Sequence, residues 1–332
     1  SLLRGVASSL YLYIPLLTMG LLSQEFSRGS VKLLYSAPIT SWQIVLGKYL
    51  GIMIYGFILM LVLGVYVCIG WCVIENFDWR PVLIGVLGLY LLLGAYAAIG
   101  LFMSSLTSYQ IIAALGTFVV FALLSFVGNI GQDIEFVREI TYWLSLNGRG
   151  GTFLKGMICS EDVLYFVIVI AMFLSFCFLK LQLGRARYSG MSKMLRYGGV
   201  FMIAMLAGYV TSRPMLKAYY DGTYTKANTI SEASQDIVKR LDGGMTITSY
   251  VNLLDNVYSF SQRGVLNDIA FFEKYVRFKP DIKMKYVFYY DEVDNPKLDK
   301  MYPGLSVEEK AKKVAKAPNL KLDNYLPPEQ IR

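Results

Sequence analysis

The chain is 332 residues long, 55% hydrophobic and 17% charged, with a formal net charge of +8 and a mean hydropathy of +0.46. Ordinary soluble domains carry roughly 25% charged and about 45–50% apolar residues, so this composition is that of a membrane protein. There is no histidine, which removes Ser-His-Asp and Cys-His catalysis and every His-containing metal site.

A bilayer-spanning helix needs about 20 mostly apolar residues. Runs that qualify or nearly do cover 6–22, 49–74, 82–103, 110–130, 163–181 and 197–212, the last of them short. Their recurrence along the chain is unlike a removable signal peptide. Between the first two runs lies a polar stretch, 23–48, with Arg28, Lys32 and Lys48. Pro38 disfavours helix at the residue before it, so a helix over about 24–36 is expected to end near Ala37-Pro38. Thr40-Ser41-Trp42-Gln43 fits a capping box, with Thr40 as N-cap and Gln43 reaching back to it. The helix it opens runs to about 74, roughly 50 Å at 1.5 Å per residue against a hydrocarbon core of about 30 Å. Its first turns therefore stand in the cytoplasm or in the headgroups. The whole stretch reads as a rigid knob, or else as an ordinary solvated loop with interfacial helices. Gly29 can serve close packing alone, Pro38 helix termination alone, and Lys48 snorkelling to the membrane surface.

Cys68 and Cys72 lie one helical turn apart inside the second run and read as small apolar packing residues. With Cys159 and Cys177 they give no legible disulfide framework. The segment 104–109 is uncharged, whereas 180–196 carries Lys180, Arg185, Arg187, Lys193 and Arg196 with no acid. On the opposite side, 75–81 sets Arg80 beside Glu75 and Asp78, and 131–162 holds three basic and five acidic residues. The positive-inside rule then places 23–48, 104–109 and 180–196 in the cytoplasm, and residue 1 and everything after about 213 outside. Residues 1–213 hold 14 Lys/Arg against 8 Asp/Glu, and 214–332 hold 18 against 16. The excess basicity thus sits in the apolar half, where it records membrane orientation and not nucleic-acid binding. No ionisable residue falls near the middle of any run, which argues against an ion-coupled carrier. Within 131–162, Ile134, Val137, Ile140 or Thr141, and Leu144 recur at helical spacing beside Tyr142 and Trp143. That pattern suits either a re-entrant helix over a translocation path or a plain interfacial anchor.

After 213 the pattern changes to α/β. Ser231 can cap a helix over 232–241 that stops at Gly243-Gly244. Residues 245–251 alternate as a strand, 263–278 form an amphipathic helix with Leu266, Ile269, Phe272 and Val276 inward, and 282–290 alternate as a second strand. Ser306-Val307-Glu308-Glu309 is another capping box. This order favours a partly parallel sheet. No Walker G-x-x-x-x-G-K-[ST] occurs anywhere. Asp291, Glu292 and Asp294 read as an exposed strand end before they read as a cation site.

Glu25-x-x-x-Gly29-Ser30-x-x-Leu33-Leu34-x-x-x-Pro38-Ile39-Thr40, followed by Ile44-Val45-Leu46-Gly47-Lys48, resembles the cytoplasmic signature of ABC-2-type transporter permeases. In that family the signature lies between the second and third of six transmembrane helices and contacts the ATPase. Lys32 stands where the family usually carries an acid. Phe153-Leu154-Lys155-Gly156-Met157-Ile158 with Asp162-Val163-Leu164-Tyr165-Phe166 resembles the approach to the last helix in the gliding-motility and nitrous-oxide-operon branch. Asn228-Thr229-Ile230-Ser231, the helix ending in Lys239-Arg240-Leu241 and the strand 247–251 resemble the start of the auxiliary domain of gliding-motility-type systems, which some members fuse behind the permease.

The fold expected is a polytopic α-helical membrane domain followed by a truncated extracytoplasmic α/β domain. The resemblance implies helices two to six of a permease over 1–181, a basic cytoplasmic linker over 182–196, an anchor helix over 197–212, and an incomplete auxiliary domain over 213–332. The first helix and the C-terminal part would then lie outside the sequence, which begins without Met. It also implies an exporter subunit of a bacterial inner membrane, non-catalytic, in a permease dimer surrounded by lipid. A separate cytoplasmic ATPase would bind the ATP and Mg, with no cofactor in this chain. Glu25, Arg28, Gly29, Leu33, Pro38, Thr40, Gly47 and Lys48 are the residues implied for ATPase coupling. The competing reading is a membrane-anchored sensor or assembly scaffold without transport.

Overall fold

A computed structural model describes residues 2–75, 77–127, 146–185, 188–213, 217–241, 243–255, 263–315 and 322–331. They divide into two compact units, the first reaching to Asn228 and the second beginning at Thr229.

The first unit is a helical bundle. Helix α1 (Leu2–Thr18) ends where the buried Thr18 hydroxyl bonds back to the Ile14 carbonyl at 2.8 Å. Two short helices follow, α2 (Ser23–Arg28) and α3 (Val31–Ser36). The single helix expected over 24–36 is broken at Gly29, whose φ of 71° places it in the left-handed region at the C-cap of α2. Glycine adopts that conformation without the Cβ penalty, so the chain turns there as well as at Pro38. Helix α4 (Ser41–Val73) opens with the expected box: the Gln43 N–H donates to Thr40 Oγ1 at 3.3 Å, and the Thr40 N–H donates to Gln43 Oε1 at 2.8 Å.

Helix α5 (Trp79–Leu106) lies at the centre and packs against α1, α4, α6 (Gln110–Phe126), α7 (Leu146–Leu154) and α8 (Ser160–Arg185). Its small residues allow this. A Cβ on Gly88 would stand 2.3 Å from the Phe153 side chain, and one on Gly100 would stand 2.0 Å from Thr18 Oγ1. Close backbone approach of this kind is how helices associate where lipid gives them no hydrophobic drive. By contrast α4 leaves Ile54, Phe57, Ile58, Leu61, Val65 and Trp71 exposed. Cys68 and Cys72 are exposed on the same helix, while Cys159 and Cys177 are buried.

The first unit closes with α9 (Gly190–Thr211), packed on α8, and with a two-stranded antiparallel ladder. In that ladder β1 (Met157–Cys159) pairs with β2 (Tyr219–Asp221), Met157 opposite Asp221. Helices α4, α5, α8, α9 and the stretch Leu2–Arg28 are long and apolar enough to cross a membrane; the apolar part of α6 is shorter, Gln110–Ser125. Among the described residues, each expected run thus lies mostly on a helix, with 19–22 in turns. The helix expected in 131–144 falls outside the described residues.

In the second unit α10 (Glu232–Arg240) is capped by Ser231, whose hydroxyl accepts from the Ser234 N–H at 3.3 Å. β3 (Met245–Asn252) and β4 (Ile282–Tyr289) pair in parallel, Met245 opposite Ile282, with α11 (Arg263–Val276) between them in sequence. Leu326 adds a parallel bridge to Tyr289. Beyond the strands, α12 (Pro296–Met301) and α13 (Val307–Val314) surround a small core of Leu253, Leu254, Tyr290, Leu298, Ala311 and Val314. Asn295 ties it together, accepting from the Leu298 N–H at 3.1 Å and donating to the Leu254 carbonyl at 2.8 Å. Asp291 is joined to Asn252, and among the described residues no cluster of three His, Cys, Asp or Glu could hold a metal. The side chains of Leu266 and Ile269 lie outside the described residues.

Candidate coupling surface and a buried charge cluster

The residues that the sequence singles out over 23–48 separate into two groups. Glu25, Thr40 and Lys48 set the shape of the segment. Glu25 Oε1 accepts from Lys48 Nζ at 2.5 Å, joining α2 to the second turn of α4, with each side chain 24% exposed. Glu25 Oε2 is buried and has no hydrogen-bond partner among the described residues. A pair this accessible is worth about 0–1 kcal/mol, so it fixes geometry more than stability. Thr40 supplies the cap described above.

Arg28, Leu33, Pro38 and Gly47 face outward. Arg28 is exposed in the last turn of α2 with no ion pair to a described residue. Leu33 is 72% exposed, a large apolar side chain that burial elsewhere does not claim. Pro38 is exposed, and a Cβ on Gly47 would meet nothing within 4 Å. Gly29 is exposed at the turn between the two short helices. Lys32, where an acid was expected, is exposed beside Leu33.

Three anchors that the sequence did not reveal hold this segment to the spans. Ser104, near the end of α5 and fully buried, accepts from the backbone N–H groups of Leu22 and Ser23 at 3.0 Å each. It donates in turn to the Met19 carbonyl at 2.8 Å. These N–H groups open α2 and have no partner within the helix, so one serine hydroxyl substitutes for an N-cap. Trp42 stacks on Phe178 of α8, centroids 4.5 Å apart and planes 13° from parallel. Arg185, in the last turn of α8, lies over the Tyr35 ring at 5.1 Å and donates to the Ile39 carbonyl at 3.3 Å. In the sequence Ser104 opens an uncharged segment, and nothing in its type marks it as a remote cap.

At the other end of α8 lies a buried charge cluster. Arg149 of α7 reaches Glu161 Oε1 at 2.7 Å and Asp162 Oδ1 at 3.1 Å, with the three side chains at most 8% exposed. Lys217 bonds Glu161 Oε2 at 2.6 Å. Thr152 donates to Asp162 Oδ2 at 2.6 Å and Ser212 to Glu161 Oε1 at 2.9 Å. The Arg149 guanidinium also lies 5.5 Å from the Tyr165 ring centroid. Two cations and two anions balance, and hydrogen bonds occupy the carboxylate oxygens, which is the condition for burying charge at tolerable cost. Asp162 belongs to a quoted motif, but its partners are Arg149 and Thr152, and only the fold assembles them with Glu161 and Lys217. None of these groups forms a nucleophile–base pair.

Comparison with curated proteins and with solved structures finds no match. Residues 8–135 match the family model described as ABC-2 family transporter protein. That stretch contains most of α1, all of α2 to α6 and every residue of the outward-facing segment just described. Over that stretch the chain is similar to ABC-2 family transporter proteins, and among the described residues five helices are long and apolar enough to cross a membrane, which fits a multi-pass membrane protein.

Proposed function

We propose that this chain is the permease subunit of an ATP-driven exporter and that a separate cytoplasmic ATPase docks on the outward face of α2, α3 and the first turns of α4. One observation carries the reading: the exposed Arg28, Leu33 and Pro38 sit on a segment tied by specific contacts to three spans. Glu25–Lys48 holds it to α4, Ser104 to α5, and Trp42 and Tyr35 to α8. A push on such a surface moves helices, whereas a push on a loose loop is lost in the loop. Members of the matched family generally work with a cytoplasmic ATPase.

The remaining parts of the reading follow from charge placement and motif resemblance. Residues 1–181 form the transport domain, 182–196 a cytoplasmic linker, 197–212 an anchor helix, and 213–332 an extracytoplasmic auxiliary domain of the gliding-motility type. Two permease subunits would alternate access between the two sides of the membrane. The parallel pair β3–β4 with an intervening helix is compatible with such an auxiliary domain.

Co-purification with the cognate ATPase tests the docking. Reversing the charges of Glu25 and Arg28 and replacing 29–38 by a flexible linker is expected to abolish it. Retention of the ATPase by that variant overturns the proposal. ATPase activity indifferent to the permease favours a scaffold instead.

A further inference from the structure

Between α2, α3, the end of α5, α8 and α9 lies a cleft of about 510 Å³. Its walls include Phe26, Tyr35 and Tyr197, and its charged groups are Lys180 of α8 and Lys193 of α9. No acidic side chain lines it. The nearest acid of α2, Glu25, is engaged by Lys48. Neither ammonium group makes an ion pair or a hydrogen bond with another described residue. Lys180 is partly buried and lines the cleft together with Phe26, Tyr35 and Tyr197. Gly184 admits Tyr35 to the wall, since a Cβ there would stand 3.0 Å from the Tyr35 hydroxyl. Next to Lys193 in sequence, α9 exposes Met194, 73% accessible.

We propose that this cleft binds the phosphate headgroup of an anionic phospholipid, with Lys180 and Lys193 as its cationic contacts and the acyl chains lying along the apolar face of α9. Three observations select this occupant. Two uncompensated ammonium groups from different helices converge on one cleft, which calls for an anion. The cleft stands at the end of the spans, lined by Leu106 at the end of α5, Lys180 and Leu183 in the last turns of α8, and Lys193 and Tyr197 in the first turns of α9. The exposed apolar residues of α9, Met194, Met202, Ile203 and Leu206 among them, give a lipid something to cover that free phosphate leaves exposed. Basic pockets between transmembrane helices on the cytoplasmic side bind such headgroups. A bound headgroup ties the start of α9 to α8 and to Tyr35 of α3, the short helix that carries Leu33. The inference rests on the preceding reading only for the leaflet concerned, the cytoplasmic one.

The test is native mass spectrometry of the chain reconstituted in nanodiscs of phosphatidylcholine doped with phosphatidylglycerol. The variants are Lys180→Gln/Lys193→Gln and, as a control on general basicity, Arg196→Gln, whose guanidinium lies over Tyr188 outside the cleft. The wild type is expected to retain phosphatidylglycerol preferentially. The double variant should lose about thirtyfold in retention, roughly fivefold per lysine, while Arg196→Gln retains it as the wild type does. Three outcomes overturn the proposal: undiminished retention by the double variant, equal loss with Arg196→Gln, or displacement of the lipid by inorganic phosphate alone. Unchanged protection of the buried Cys159 thiol in each variant shows that folding is intact. If lipid retention fails while the ATPase still co-purifies, only this inference falls. If the ATPase proves indifferent to 23–48 while lipid is retained, only the coupling reading falls.

Discussion

Arg149→Met removes the cation that two buried carboxylates share. Glu161 keeps Lys217 and Ser212, but Asp162 is left with the Thr152 hydroxyl alone, its side chain 6% exposed. Breaking a buried pair by deleting one partner costs about 3–5 kcal/mol, because the surviving charge is stranded away from water. If that cost falls on the local structure joining α7, β1 and α8, its open population rises by about two to three and a half powers of ten. Cys159 reports the opening directly. It lies in β1, is 4% exposed, and burial, seconded by the Asp162 charge, pushes its thiol up to about 11. In a background with Cys68→Ala and Cys72→Ala, maleimide labelling of Cys159, located by mass spectrometry, should accelerate by that factor in Arg149→Met. The companion variant Arg149→Met/Asp162→Asn removes the stranded charge while keeping an acceptor for Thr152. It should therefore label at least tenfold more slowly than the single variant, a recovery of about 1.4 kcal/mol. A double variant that labels as fast as Arg149→Met refutes the charge argument, and so does a single variant no faster than wild type.

Thr40→Ala deletes the acceptor for the Gln43 N–H while leaving the backbone N–H that donates to the Gln43 side chain, at a cost of about 1 kcal/mol. Limited proteolysis between 36 and 41 should quicken several-fold, with the bilayer-embedded part of α4 unaffected. Gly100→Ala drives a methyl to 2.0 Å from Thr18 Oγ1, a clash of the overpacking kind that costs about 1–3 kcal/mol. The variant should give less monodisperse protein on gel filtration, and Thr18→Ala should restore only part of it, because Thr18 Cβ itself lies at 2.7 Å. Burial works to raise the Asp221 carboxyl, but hydrogen bonds from the Thr223 hydroxyl and from the Thr223 and Asn228 N–H groups outweigh it and hold the pKa below the ordinary value. The folded value being the lower one, its stabilisation is present above the unfolded pKa of about 3.9 and is lost as pH falls through the folded value. Hydrogen exchange at Thr223 and Asn228 should accelerate beyond the intrinsic rate in that acid range, and should lose this pH dependence in Asp221→Asn.

Periodicity and local chemistry carried the parts of the fold that depend on neighbours in sequence. Thr40 and Ser306 both cap with their box partners three residues on, since a capping box is complete within four residues. The apolar runs became helices because their length leaves little alternative in lipid. The parallel pairing of β3 and β4 followed from strand–helix–strand order. Gly29 was a different matter. A single glycine inside a polar stretch is compatible with one helix or two, and the left-handed φ that divides α2 from α3 is a choice made by the surrounding contacts. The anchors were less legible still. Ser104 acts across 82 and 81 residues on Leu22 and Ser23, and Arg185 across 146 on Ile39, distances at which no local pattern operates. Arg149 was one basic residue of a loop whose acids outnumbered it, and only folding showed which two it serves.

These anchors give α8 a particular mechanical position. It is one unbroken helix of 26 residues, about 39 Å long at 1.5 Å per residue. Near its C-terminal end Phe178 and Arg185 hold Trp42, Tyr35 and Ile39; at its N-terminal end Glu161 and Asp162 hold Arg149 and Lys217. Between the two ends, residues 163–179 carry no charge, and Gly184 is its one glycine. Nothing in that composition favours a kink, which requires proline, glycine pairs or an inserted polar group. Under the proposed coupling, a displacement of α3 and the start of α4 would pass along α8 as a rigid-body movement instead of being absorbed by bending. At the far end it meets a cluster in which Lys217 and Ser212 both bind Glu161, so the chain just beyond α9 is drawn along. A helix that is polar only at its ends, and charge-bonded at both, is suited to carrying mechanical work across a bilayer in a chain whose spans keep ionisable groups away from their middles.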